Sequence, residues 1–159
     1  MNIMETIEVT NPSELEPLSD FLHDSYLDID TFNYDRSKGE ISVIFKKELY
    51  EDRVPVGGFI VRRYSVPVRQ FVLTISNVTA YELNDTEGVG YYDLCQLLFD
   101  PVENRLEFPT GVPLHFAVNV SALKMRLDRS SSAPVWVKRR LLWFLSEPFG
   151  FYRDGDIDG

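Results

Sequence analysis

EISVIF, residues 40–45, alternates without a break: Ile41, Val43 and Phe45 fall on one face, Glu40 and Ser42 on the other. Period two over six residues is the mark of a strand with one buried face. The same period extends outward in both directions. YLDIDTFNY (26–34) is also extended, but its apolar parity slips between Ile29 and Phe32, which predicts a bulge or a change of face. DRSKG (35–39) joins the two runs as a hairpin loop. Downstream, GGFIVRRY (57–64) and VRQFVLTIS (68–76) are two more extended runs, with Phe71, Leu73 and Ile75 on one face and Pro67 as a turn or an edge position between them. NDTEGVG (84–90) is a loop signal. YYDLCQLLF (91–99) and RLEF (105–108) flank a second turn, DPVEN. The stretch VPLHFAVNVSALKMRL (112–127) predicts one long strand. Val112, Leu114, Phe116, Val118 and Val120 share one parity; Leu123, Met125 and Leu127 take the other, so a bulge is expected near Ser121 and Ala122.

The two turns resemble each other. Each follows an aromatic–Asp pair, Tyr34–Asp35 and Phe99–Asp100, and Asp is a common turn initiator. The likeness stops at the hairpin, which favours shared turn chemistry over duplication. Helical spacing is scarce. Ser13 and Glu16 spell a capping box, and Leu15, Leu18 and Leu22 share a face, predicting a short, imperfect helix within 13–24 that restarts at Pro17. Residues 5–10 alternate and precede it as a strand. In APVWVKRRLLWFLSEPFGFY (133–152), Pro134 at a first helical position and the stripe Val137, Leu141, Phe144 and Leu145 favour a helix on a sheet near 134–145. Both faces of 141–145 are apolar, so an extended reading stays open. The fold class expected is mostly β (α+β): an antiparallel, partly curled sheet or sandwich with a short N-terminal helix, in one domain over 1–153 followed by an acidic tail, 154–159.

A hydrophobic fraction of 44% is enough for a core in 159 residues. One cysteine, Cys95, leaves no disulfide framework, and no basic, apolar leader opens the chain; a cytoplasmic setting is expected. The sequons at Asn77, Asn84 and Asn119 are then chance. LLWFL (141–145) is the longest apolar run, too short to span a bilayer, and no membrane partner is expected. The net charge of −9 argues against nonspecific nucleic-acid binding, which needs surplus bases, and no nucleic-acid partner is expected. Its distribution is uneven. Residues 1–35 hold nine acids and no Lys or Arg, whereas 124–140 hold six bases and one acid. Either the two stretches neutralise each other or one of them meets a partner.

Chemistry-bearing residues are few. Two histidines, His23 and His115, cannot supply a binuclear metal site, although His23–Asp24 spells an HD pair. His115 is expected on a sheet surface, and Cys95, between Leu94 and Leu97, is expected buried and inert. Gly57–Gly58 and Gly88-x-Gly90 lack the remaining residues of a phosphate loop, and no Cys-x-x-Cys exists. Neither a metal nor a cofactor is expected. RDGDIDG (153–159) reads as D-x-D-x-D-G from Asp154, the first half of a twelve-residue calcium loop whose second half does not follow.

FLHDSYLDID with the alternating hairpin after it, through His23–Asp24–Ser25, Tyr34–Asp35 and the strand around Val43, resembles the start of small uncharacterised bacterial proteins, among them immunity proteins of polymorphic toxin systems. The resemblance covers roughly a quarter of the chain. It implies an α+β or mostly-β domain without known catalysis and assigns no functional residue. The function expected is a non-catalytic protein-binding module of immunity or inhibitor type, monomer or homodimer. Asp20, Asp24, Asp28, Asp30 and Asp35 are the candidate contacts to a basic partner. The alternatives are a self-associating structural domain, or a small hydrolase built on His23 and a nearby Asp.

Overall fold

Residues 6–142 and 157–158 are described by a computed structural model. In chain order the elements are β1 (Thr6–Val9), a 3-10 turn (Pro12–Glu14), α1 (Leu15–Leu22), β2 (Tyr26–Asp35), β3 (Glu40–Glu48), β4 (Val54–Gly57) and β5 (Val61–Ile75). They continue with β6 (Val78–Asn84), β7 (Tyr91–Asp93), β8 (Leu98–Asp100), β9 (Arg105–Glu107), β10 (His115–Val120), β11 (Met125–Arg129), β12 (Val135–Leu142) and β13 (Ile157–Asp158). The protein is mostly β, its sheets are antiparallel and open, and the one α-helix among the described residues lies near the N-terminus. Contacts divide the chain into two compact units, Met1–Lys47 with Gln70–Ser130 and Glu48–Arg69 with Ser131–Gly159.

In the first unit one sheet runs in the order β1-β11-β5-β3-β2-β7 and a second in the order β6-β10-β9-β8. Both sheets and α1 contribute to one hydrophobic cluster. Ile41, Val43 and Phe45 of β3, Phe71, Leu73 and Ile75 of β5, and Phe116, Val118 and Val120 of β10 are all buried in it. These are the faces that period two assigns to the core. Val112, placed on the same face by parity, is exposed because the strand begins only at His115.

The change of parity after Val120 is not a bulge. β10 belongs to one sheet and β11 to the other, and residues 121–124 carry the chain between them. The outgoing crossing, from β5 to β6 through Asn77 at φ 57°, runs beside it: Ser121 N–H donates to the Asn77 carbonyl and Ser76 N–H to the Lys124 carbonyl, both at 2.9 Å. A strand that switches sheets must exchange its inward face, so the reversal follows. The slip within β2 is a true irregularity. Asp28 pairs with Ile44 and Asn33 with Ser42, leaving four residues against one. Thr31 fills the gap in the ladder: its hydroxyl donates to the Asp28 carbonyl at 2.6 Å and accepts the Ile44 N–H at 2.8 Å.

The two hairpin turns are built alike. Asp35 Oδ1 accepts the N–H groups of Ser37 and Lys38, and Asp100 Oδ1 those of Val102 and Glu103. Each turn closes on a left-handed residue four positions later, Gly39 (φ 64°) and Asn104 (φ 49°), two types that tolerate that conformation. At the N-terminus the capping box is Asn11 with Glu14, not Ser13 with Glu16. Glu14 accepts the N–H of Thr10 at 2.7 Å and of Asn11 at 3.3 Å, and the Thr10 contact chiefly holds its pKa below the usual range. Leu15, Leu18 and Leu22 are buried as the spacing requires. Pro17 does not break α1, because it lies in the first turn, where N–H groups have no helical partner.

In the second unit β4 and β12 pair with the N-terminal half of β5, and β13 pairs with β12. One open alternative is decided here and one expectation is corrected. Pro67 is not a turn: β5 runs straight through it for 15 residues. The N–H and C=O of one strand residue point to the same edge. On that edge the Pro67 carbonyl accepts the N–H of Leu49 at 2.9 Å, just past the end of β3. The lost donor is therefore aimed where no regular ladder continues. Residues 135–142 form a strand, not a helix, in eight-residue register with β5 from Val135↔Val68 to Leu142↔Val61. Trp143, Phe144 and Leu145 lie outside the described residues, as do Asp154 and Asp156 of the calcium-like motif. The acidic tail is not wholly a tail, since Ile157 and Asp158 pair with Val137 and Trp136.

Candidate protein-binding surface

β7 is a terminal strand of the larger sheet of the first unit, paired with β2 through Tyr26↔Asp93, Leu27↔Tyr92 and Asp28↔Tyr91. Alternation buries Tyr92 completely and turns Tyr91 and Asp93 outward. The loop before β7 is closed by Asp85, which accepts the Gly88 N–H at 2.9 Å and the Tyr92 hydroxyl. This holds Val89, 55% exposed, and Tyr91, 47% exposed, at the sheet edge.

Acids stand along the same edge. Asp24 caps the exit from α1 in a left-handed conformation (φ 60°), its N–H bonded to the Leu94 carbonyl at 3.1 Å, and its side chain is exposed. Asp93 lies close enough to feel it: partial burial first, and then the Asp24 charge, push the Asp93 carboxyl above its usual pKa. Asp30 is exposed beside Gly90, where a Cβ would stand 3.7 Å from Oδ2. Behind this rim Lys46 lies 3.2 Å from Asp28 and 4.8 Å from the centre of the Tyr91 ring. Burial opposes its charge, but the hydrogen bonds to Tyr91 and Asp28 outweigh that and raise its pKa.

The five aspartates singled out by the charge count thus have different fates. Asp24 and Asp30 stand at the β7 edge. Asp20 is exposed on α1, away from strand pairing. Asp28 is buried and paired with Lys46, so it is removed from any contact surface. Asp35 is occupied in its turn, where the Ser37 hydroxyl chiefly lowers its pKa. Tyr91, Val89 and Asp93 lie beyond the acidic opening stretch, so charge counted along the chain does not point to them. The acidic and basic stretches do meet where β1 pairs with β11, where Glu8 and Arg126 lie 4.0 Å apart.

Cys95 is exposed, against the expectation of a buried thiol, because 94–97 leaves the strand after β7 and only Leu94 and Leu97 turn inward. It shares a surface groove of about 510 Å³ with His23, Asp20 and Ser19. His23 Nδ1 donates to the Cys95 carbonyl at 2.7 Å, and Nε2 lies 3.4 Å from Asp24. Both ring nitrogens are therefore directed at groups other than the thiol, and the geometry is not that of a nucleophile–base pair. His115 lies on the outer face of β10, 2.6 Å from Glu82, which Arg105 also binds at 2.7 Å. Among the described residues no three His, Cys, Asp or Glu side chains converge on a metal-sized position, and no helix is long and apolar enough to cross a membrane.

Fold and surface together describe a β-rich protein with an acidic, tyrosine-bearing sheet edge. No family model, curated protein or solved structure matches the chain.

The raised pKa of Asp93 has a consequence for stability. A carboxyl whose folded pKa is raised contributes stability that is present below the unfolded value and lost as pH climbs through the folded one. At neutral pH the folded protein therefore carries the cost of ionising Asp93 beside Asp24. Asp93→Asn is expected to melt at a higher temperature than the parent at pH 7 and at the same temperature near pH 3. A lower melting temperature at pH 7 would contradict this reading.

Proposed function

We propose that this chain is a non-catalytic protein-binding module, of inhibitor or immunity type, whose β7 edge engages a basic partner protein. The observation that carries the proposal is the grouping of exposed Tyr91 and Val89 with Asp24, Asp30 and Asp93, one of whose carboxyls is held against like charge. A half-exposed tyrosine with Lys46 over its ring and Asp24, Asp30 and Asp93 along the same edge suits an interface anchor with a mainly acidic rim. Retaining a carboxylate that costs stability is expected where it serves binding. The short length of β7, three residues, limits pairing with stray strands, so side chains would supply the contact.

The test is capture by the immobilised protein from source-cell lysate at low and high salt, repeated with Asp24→Lys, Asp93→Lys and Tyr91→Ala. A basic protein held at low salt, released at high salt and lost in all three variants is the expected result. Capture that all three variants leave intact would move the interface elsewhere. No capture, with a salt-sensitive dimer in light scattering, would favour self-association.

A further inference from the structure

The second unit carries a different surface. Residues 48–69 and 131–142 contain seven Lys and Arg against three Asp and Glu, and the whole unit, to Gly159, contains eight against seven, where the full chain is acidic. β4 and β5 form a hairpin that leaves β4 at Gly57, φ 133°, and turns through Gly58, φ 93°. A Cβ on Gly58 would stand 2.0 Å from the Val61 carbonyl oxygen, so only glycine permits this turn. It thrusts two large apolar side chains into solvent: Phe59 is 90% exposed and Ile60 63%. Val54 and Val56 on β4 are exposed behind them.

Cations stand next along the hairpin. At about 3.3 Å per residue, Arg62 and Arg63 are roughly 7–10 Å behind Ile60. Arg63 lies directly opposite Arg140 on β12, and both are exposed. Like charges in cross-strand register repel, and neither guanidinium has an ion-pair partner among the described residues. On the same face Lys138 lies opposite Ser65, and the half-exposed Trp136 opposite Pro67. From the tip inward the order is apolar, then cationic, then aromatic.

We propose that this hairpin docks on an anionic lipid surface, with Phe59 and Ile60 entering the acyl boundary and Arg62, Arg63 and Arg140 binding the headgroup phosphates. The spacing between tip and cations matches the 5–10 Å depth reached by apolar groups at a membrane interface. A protruding tip needs no pocket to receive it. Pro55 in the edge strand β4 disfavours a partner that adds a strand there. The overall charge of −9 does not forbid the contact, because screening limits it to about 8 Å at physiological salt. The inference is independent of the acidic β7 edge.

Co-sedimentation of the full chain with phosphatidylcholine vesicles, with and without about one-third phosphatidylserine, tests it. The chain is expected to sediment with the anionic vesicles only. Phe59→Ser with Ile60→Ser should reduce partitioning by at least about 100-fold, since both side chains are solvent-exposed in the free protein and buried when docked. Arg63→Glu should reduce it about 30-fold, at about a fivefold factor for each unit of charge. The same substitution places opposite charges across from each other, so the melting temperature should hold or rise, which separates lost docking from lost folding. Sedimentation with neither vesicle, equal sedimentation with both, or binding unchanged in the tip variant would overturn the proposal. So would binding to a single-stranded oligonucleotide or an acidic peptide in place of the vesicles.

Discussion

Arg139→Ala is expected to destabilise the second unit by about 3 kcal/mol, the low end for breaking a buried ion pair. Arg139 and Glu48 keep only 14% and 10% of their side-chain surface in water. Nε donates to Glu48 Oε2 at 3.1 Å and a terminal nitrogen donates to Oε1, so the guanidinium grips both oxygens. The Tyr50 hydroxyl donates to the same carboxylate. Burial first, and then the hydrogen bond to Glu48, push the Tyr50 pKa up to about 12. Removing Arg139 takes away the cation that grips both carboxylate oxygens, in a unit whose buried apolar side chains include Leu49, Val66 and Val137. Chemical denaturation would measure the loss. The alkaline titration of Tyr50 should move still higher, because Arg139 favours the phenolate in the parent. Glu48→Leu with Arg139→Leu should recover most of the stability, since the penalty comes from breaking up a buried ion pair, not from losing the charges themselves. A single variant as stable as the parent would show that the pair is solvated.

Phe116→Ala is expected to cost about 3–5 kcal/mol in the first unit, whereas His115→Ala, one residue earlier, should stay within about 0.5 kcal/mol. Phe116 is 2% exposed, stacks on Phe108 with ring centres 4.4 Å apart and meets the edge of Phe32 at 5.9 Å. Its neighbour points to the outer face, where its contact is a solvent-exposed glutamate. Paired unfolding curves would check the contrast. Similar losses for both variants would mean that the two faces of β10 are not divided as described.

That contrast was legible before any coordinates, because alternation of side chains is a local property of extended backbone. So was the chemistry of the turns after Asp35 and Asp100, where one side chain satisfies the next two N–H groups. The candidate surface was only half legible. Asp24 and Asp30 fall in the acidic opening stretch, but Asp93 and Tyr91 reach the same edge only because β7 pairs with β2, about sixty residues apart in the chain. A linear charge count also could not see that Lys46 neutralises Asp28, because that contact is made across a strand pair.

The sequence by itself determined the mostly-β class, the core faces of β3, β5 and β10, the buried face of α1 and the two Asp-initiated turns. Each depends on periods of two or 3.6 residues, or on hydrogen bonds within four residues, so neighbours along the chain suffice. Tertiary structure decided the rest. It made a strand of 135–142, whose helical stripe was overruled by eight registered partners on β5. It let β5 pass through Pro67, because the missing donor faces an edge where β3 has ended. It turned the parity change after Val120 into a passage between sheets, since which sheet a strand joins is settled by partners distant in sequence. It exposed Cys95 for the same reason: whether a segment of mixed polarity is covered depends on what packs over it, and its own residues carry no record of that.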